Sequence, residues 1–240
     1  MVDEYDKIAD LFGYSNYNYD MDEKEYALSI LMLLESFYRK YSSKTLTYYL
    51  NHFEEDCDKL EQKLLQKNNQ CFEKYVKNKE KEYLLEHNIP VSKHNKVPLK
   101  TDLKTTLNII TDTIKTAIDY LKKDARIKMN VWKDKSDTAP FDCNQKMKDS
   151  IKKIKKGVSY ATGMASQKTR RSVQSFVYSK EARFKWVCYG SNPCDWCISQ
   201  SKKPSKPLKE WEFDHPHGHC GLEPDNAQTS KAFNELLGID

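Results

Sequence analysis

Between residues 46 and 64 the apolar side chains Leu46, Leu50, Phe53, Cys57, Leu60 and Leu64 return at steps of 4-3-4-3-4. That period fits the helical turn and no strand. It predicts a long amphipathic helix whose seam lies along a partner helix. Cys57 falls inside the stripe and reads as a small core residue, not a ligand. The seam loosens through Cys71, Phe72 and Tyr75. Upstream, residues 21–40 (MDEKEYALSILMLLESFYRK) are apolar on most sides, which suits a well-buried helix. Downstream, Thr101 offers an N-cap to a further stripe of Leu103, Leu107, Ile110, Ile114, Ala117 or Ile118, and Leu121.

Breaks in the pattern set the organisation. Pro90 and Pro98 make HNIPVSKHNKVPLK a loop, with His87 and His94 read as surface residues. KDKSDTAPFDCNQ is polar, carries Pro140 and marks a boundary near residues 133–145. Beyond it Ile151, Ile154, Val158 and Ala161 recur at helical spacing with lysine pairs between them, Gly163 is placed to interrupt the helix, and RRSVQSFVYSKEARF reads as another. The expected fold is α+β: a mainly helical region over residues 1–140 and a small C-terminal α+β module over residues 146–240.

A chain of 240 residues can bury one large or two modest cores. No apolar run approaches the roughly 20 residues that cross a bilayer, so no membrane segment is expected. The start, MVDEYDKIADLFGY, is acidic and amphipathic, unlike a secretory signal, and the chain reads as cytosolic in origin. Seven cysteines, an odd number in a reducing compartment, argue for metal ligands or buried thiols over a disulfide framework. Charge is uneven: residues 1–62 carry 14 acidic and 6 basic side chains, residues 148–185 carry 2 acidic and 11 basic ones. A basic stretch of this kind suits DNA or an acidic protein, or else is a solvated lysine-rich helix face.

At residue 184 the period changes. FKWVCYG alternates Phe184, Trp186 and Cys188 against Lys185, Val187 and Tyr189, which reads as a strand running into NPCDWC. LKEWEF is read as the second strand of the hairpin-like unit. A module this small and short of apolar residues commonly needs a staple. Zinc supplies one, because a Cys-x-x-Cys turn such as Cys194–Cys197 presents two thiolates to one side of a tetrahedral ion. The second pair comes from DHPHGHC, where His217 and Cys220 form His-x-x-Cys. Pro216 stiffens the approach and Gly218 permits a tight bend. His215 and His219 compete with His217 for the one histidine position. The alternatives are unligated thiols with surface histidines, or a redox Cys-x-x-Cys, against which the absence of a βαβ pattern argues.

The order strand with Lys-Trp-Val, Cys-x-x-Cys turn, basic loop, then His-Pro and His-x-x-Cys resembles the C-terminal module of tailed-phage minor head proteins, the head-morphogenesis family that includes the Mu F-like proteins. The resemblance covers roughly residues 150–225, including the helical SVQSFVYSKEARFK before the strand. Cys194, Cys197, His217 and Cys220 fall on the family's motif positions, while its final cysteine is replaced by Leu222. The resemblance says little about the long helical region.

It implies a structural role in the virion, at the portal or the capsid interior, in head morphogenesis or DNA ejection. The expected partners are portal and capsid proteins, with packaged DNA against residues 148–185 and Zn²⁺ as a structural cofactor. No catalytic residue is expected. A His-Asn-His type zinc nuclease would want a second Cys-x-x-Cys and an open metal position, and three cysteines with a histidine close the site. A zinc-binding adaptor with the helices as a docking platform is the other alternative. Glu54, Glu55, Asp56 and Asp58 are solvated helix charges, and seven glycines form no nucleotide-binding loop.

Overall fold

The computed structural model describes residues 21–41, 44, 46–99, 101–132, 144–189, 193–212, 220–226 and 228–239. Four long helices dominate: α1 (Met21–Tyr41), α2 (Leu46–Glu86), α3 (Lys104–Trp132) and α4 (Asn144–Val177). A short 3-10 helix, Val91–Lys96, lies between α2 and α3. The rest is β1 (Arg183–Cys188), α5 (Asp195–Ser201), β2 (Lys206–Pro207), a 3-10 turn at Leu208–Glu210, β3 (Cys220–Pro224) and α6 (Lys231–Leu237). The fold is thus α+β, mainly helical with one small three-stranded antiparallel sheet of order β2-β1-β3. No helix among the described residues is long and apolar enough to cross a membrane.

The chain forms two compact units, 1–75 with 106–159 and 76–105 with 160–240. The sequence boundary near 133–145 lies almost wholly outside the described residues.

The first unit is built on the seam read from the sequence. Phe53, Cys57, Leu60 and Leu64 are buried, while the side chains of Leu46 and Leu50 lie outside the described part. The stripe does not loosen after Leu64. It continues through Asn68, Phe72 and Tyr75, all buried. A polar residue disguised it: Asn68 is fully enclosed and its Oδ1 accepts a hydrogen bond from the Tyr26 hydroxyl of α1. Helix α1 buries Tyr26, Ala27, Leu28, Ile30, Leu31, Leu34, Phe37 and Tyr41, which explains its apolar character on most sides. Tyr41 meets Phe53 edge-on with ring centres 5.2 Å apart. From α3 the unit takes Ile110, Ile114, Ala117, Ile118 and Leu121, and from α4 Ile151, Ile154 and Val158. The acidic cluster on α2 is not simply solvated. Asp58 pairs with Lys122, Glu54 with Arg126, and Asp56 with Lys40. Such exposed pairs contribute about 0–1 kcal/mol each.

Two helix boundaries differ from expectation. Helix α4 runs through Gly163 without a break, so the Ile151 stripe and RRSVQSFV belong to one helix. The stripe's own continuation, Ala165, Val173 and Val177, is buried throughout and carries it past the glycine. At the start of α3 it is Asp102 whose Oδ1 accepts the Lys104 N–H at 3.1 Å. Thr101 Oγ1 is buried without a partner.

Candidate metal centre

In the second unit, two small cores flank the chain's cysteine-rich end. Tyr83, Leu84, Ile89, Val97, Val173, Val177 and Phe233 form one. Helix α6 closes it: Ser230 Oγ accepts the Phe233 N–H at 3.1 Å, and Gly238, at φ 73°, terminates the helix in the left-handed region. Lys93 Nζ donates to the Leu236 carbonyl at 2.6 Å at the same end. His87 and His94 are not the surface residues expected. The His87 ring is half-buried edge-on to Tyr178 at 5.5 Å, and His94 Nε2–H donates to the Ile89 carbonyl at 3.0 Å. Burial pushes the His87 imidazole below its ordinary value, Glu86 opposes that shift and Arg170 adds to it.

The other core is aromatic. Ala182, Phe184, Trp186, Cys197, Trp211 and Leu222 are buried together, with Tyr178, Cys188, Trp196, Leu208 and Cys220 packed against them. Trp186 stands edge-on to Trp196 at 5.3 Å and tilted to Trp211 at 5.9 Å. Trp211 Nε1–H donates to the Phe184 carbonyl at 3.0 Å, and the part of LKEWEF read as a strand begins as a 3-10 turn over Leu208–Glu210. β1 pairs with β2 over two residues only; its long partner is β3, from Phe184↔Pro224 to Cys188↔Cys220. The module therefore has more apolar packing than its composition suggests, and a metal would add to this core instead of replacing it. Gln174 Nε2–H donates to the Leu222 carbonyl at 2.8 Å and Arg171 to the Trp211 carbonyl at 2.7 Å, so α4 holds both sides of the sheet.

Into this frame fall the expected ligands. Cys194 is the N-cap of α5, exposed, its Sγ accepting the Cys197 N–H at 3.5 Å. Cys197 is in the first turn and buried in the aromatic core. Cys220 begins β3 and is half-buried. His217, with His215 and His219, lies outside the described residues. Cys-x-x-Cys does open a helix, as in redox motifs, but it follows a strand of an antiparallel sheet, and no βαβ unit occurs among the described residues. Among the described residues no three His, Cys, Asp or Glu side chains converge closely enough to hold an ion. The donor types of Cys194, Cys197 and Cys220 are those zinc takes, since thiolates are soft ligands, but the described structure does not bring these three thiols together around one point. Buried Trp186 Nε1–H has no acceptor among the described residues.

Phe184, Trp186 and Cys188 share one strand face, the buried one, and Cys188 stands opposite Cys220 in the register. On the other face, the Tyr189 ring lies over Gly221, where an added Cβ would sit 3.2 Å from Cε2. The Tyr189 hydroxyl donates to Glu223, and burial together with that bond raises its pKa.

The basic stretch is not one free face. Lys148, Lys152, Lys153 and Lys156 on α4 are exposed. Further along, Arg170 pairs with Glu86, Lys168 Nζ donates to the Asp102 carbonyl at 3.2 Å, Arg171 holds the Trp211 carbonyl and Arg183 holds Ser205. Comparison with protein-family models, curated proteins and solved structures finds no match to this chain.

Proposed function

We propose that the chain is a structural, non-enzymatic minor head protein of a tailed bacteriophage, located in the virion at the portal or the capsid interior, with one structural zinc ion in its C-terminal module. One observation carries the reading. A long helix, α4, leads into strand β1, then into a helix opened by Cys194 and Cys197, and a return strand begins on Cys220. That is the order in which the minor head family presents its metal ligands. Cys194, Cys197 and Cys220 supply three thiolates, and the sequence assigns the fourth place to His217. Four protein ligands leave no position for water, which makes the ion a staple and not a hydrolytic centre. Bound, it would supply folding free energy to the sheet end.

The helical region with its acidic start engages other head proteins, while Lys148, Lys152, Lys153 and Lys156 contact packaged DNA through phosphate, without regard to sequence. Quantitative mass spectrometry of purified phage particles tests the reading. The expected result is this chain at far lower stoichiometry than the major capsid protein, co-purifying with portal and capsid proteins. Its absence from particles, with the protein free in cells lacking a prophage, replaces the reading with a zinc adaptor. Metal-dependent plasmid cleavage that His217→Ala abolishes replaces it with a nuclease.

A further inference from the structure

We infer that Cys188 and Cys220 are a redox modification site, which a low-molecular-weight disulfide such as glutathione disulfide converts to a cross-strand disulfide pinning the end of the sheet. The inference goes beyond the proposed function and stands on the fold alone. The observation is the register of β1 and β3, which sets the two residues directly opposite each other. Phe184 and Trp186 alternate onto the buried face of β1, and Cys188 is the next residue on that face. Leu222, buried across from Trp186, places Cys220 on the same face. Both thiols are free and half-buried. Among the described residues no third His, Cys, Asp or Glu joins them closely enough to hold an ion. Two facing sulfurs without a third donor suit a bond to each other.

The spacing of the ladder fits that bond. Directly opposed residues of an antiparallel pair hold their Cα atoms about 4.5 or 5.5 Å apart, and a disulfide takes Cα atoms about 4.4–6.8 Å apart. Their Cβ atoms close from about 4.5–5.5 Å in the ladder to about 3.5–4.5 Å in the disulfide. Cys188 ends β1 and Cys220 begins β3, so this small closure falls at the end of the ladder, where the strands are freest to draw together. The rival pair, Cys194 and Cys197, is less open to attack, because Cys197 is only 1% exposed and sits in the aromatic core.

The oxidation proceeds by thiol–disulfide exchange. The thiolate of one cysteine attacks a sulfur of glutathione disulfide, whose S–S bond breaks and releases one glutathione thiolate. The partner cysteine, its proton passed to water, attacks the protein sulfur of the mixed disulfide and releases the second glutathione thiolate. Two electrons and two protons leave the protein pair, and one glutathione disulfide becomes two glutathiones. A reducing compartment keeps the pair open, and an oxidising one closes it. Closed, the bond ties β1 to β3 across the intervening α5 and β2.

The full chain, with a chelator present so that no ion holds Cys220, is equilibrated with glutathione disulfide, blocked with iodoacetamide and cleaved after Tyr189 with chymotrypsin. Tandem mass spectrometry should find Cys188 joined to Cys220, in the wild type and in Cys194→Ser/Cys197→Ser alike. The oxidised wild type should exchange the backbone amides of β1 and β3 at least about tenfold more slowly than the reduced protein, and a reducing agent should restore the faster exchange. A bond between Cys194 and Cys197 alone, any other pairing, glutathione left on Cys188 or Cys220, or no protein disulfide at all overturns the inference. The wild-type peptide map decides even where the double variant fails to fold. Zinc content of the untreated chain tests the proposed metal centre separately, so the failure of one reading is distinct from the failure of the other.

Discussion

Gly157→Ala should destabilise the helical unit, although the same change inside an ordinary helix gains about 1 kcal/mol. Gly157 lies where α4 passes α3. A Cβ added there would sit 2.9 Å from Thr113 Cγ2, 3.0 Å from its Oγ1 and 3.1 Å from its Cβ. All three side-chain atoms of Thr113 are involved, so turning its χ1 exchanges one clash for another. Thr113 Oγ1 is also committed, donating to the Ile109 carbonyl at 2.7 Å. The helices must therefore part locally, and overpacking of this kind costs about 1–3 kcal/mol. Set against the propensity gain, the net loss is about 0–2 kcal/mol. Thr113→Ala removes the two nearest atoms and should turn Gly157→Ala neutral or stabilising. Urea unfolding followed by far-UV circular dichroism, run as a double-mutant cycle, should give a coupling of about 1–2 kcal/mol. Strict additivity, or a stabilising Gly157→Ala in the wild type, refutes the close approach.

Phe53→Ala opens the seam of α2 where Phe37, Tyr41 and Tyr49 converge, and should cost about 3–5 kcal/mol by urea titration. For His87 the folded pKa is lowered by burial, so the unfolded chain takes up the proton first. Its contribution is present above about pH 6.5 and is lost as pH falls from there toward the folded value. His87→Gln should flatten the acid side of a plot of urea midpoint against pH, and an unchanged slope excludes the role. Binding to random duplex DNA should weaken with salt, with a log–log slope no steeper than about −4 if Lys148, Lys152, Lys153 and Lys156 make the contacts. Salt-independent binding discards that face.

The helices were legible because burial on one side writes a period into the sequence, and Phe53, Cys57, Leu60 and Leu64 carry it without interruption. Where one core position is polar the period fades from view, as at Asn68, whose burial depends on Tyr26 more than forty residues away. Gly163 looked like a stop because propensity is local, whereas Ala165, Val173 and Val177 hold the helix by tertiary packing. The strand β3 was missed because CGLEP is short and carries glycine and proline; its pairing with β1, not its own composition, makes it a strand. Helix α6 was overlooked although Ser230 and Gly238 bracket it with cap residues. Spacing drew attention to Cys194, Cys197 and Cys220. It could not show how far the fold keeps them apart, because the β1–β3 register and the seat of α5 are non-local properties.

The most direct test of the account is the zinc content of the intact chain, purified without added metal or affinity histidines, with Cys197→Ser alongside. The account predicts about one zinc per wild-type chain, released as pH falls and protons compete for the thiolates. In Cys197→Ser the ion should be lost and residues 186–225 loosened, with the N-terminal helices still folded. A wild-type protein that is metal-free, with β1 and β3 protected from hydrogen exchange as fully as the long helices, contradicts it.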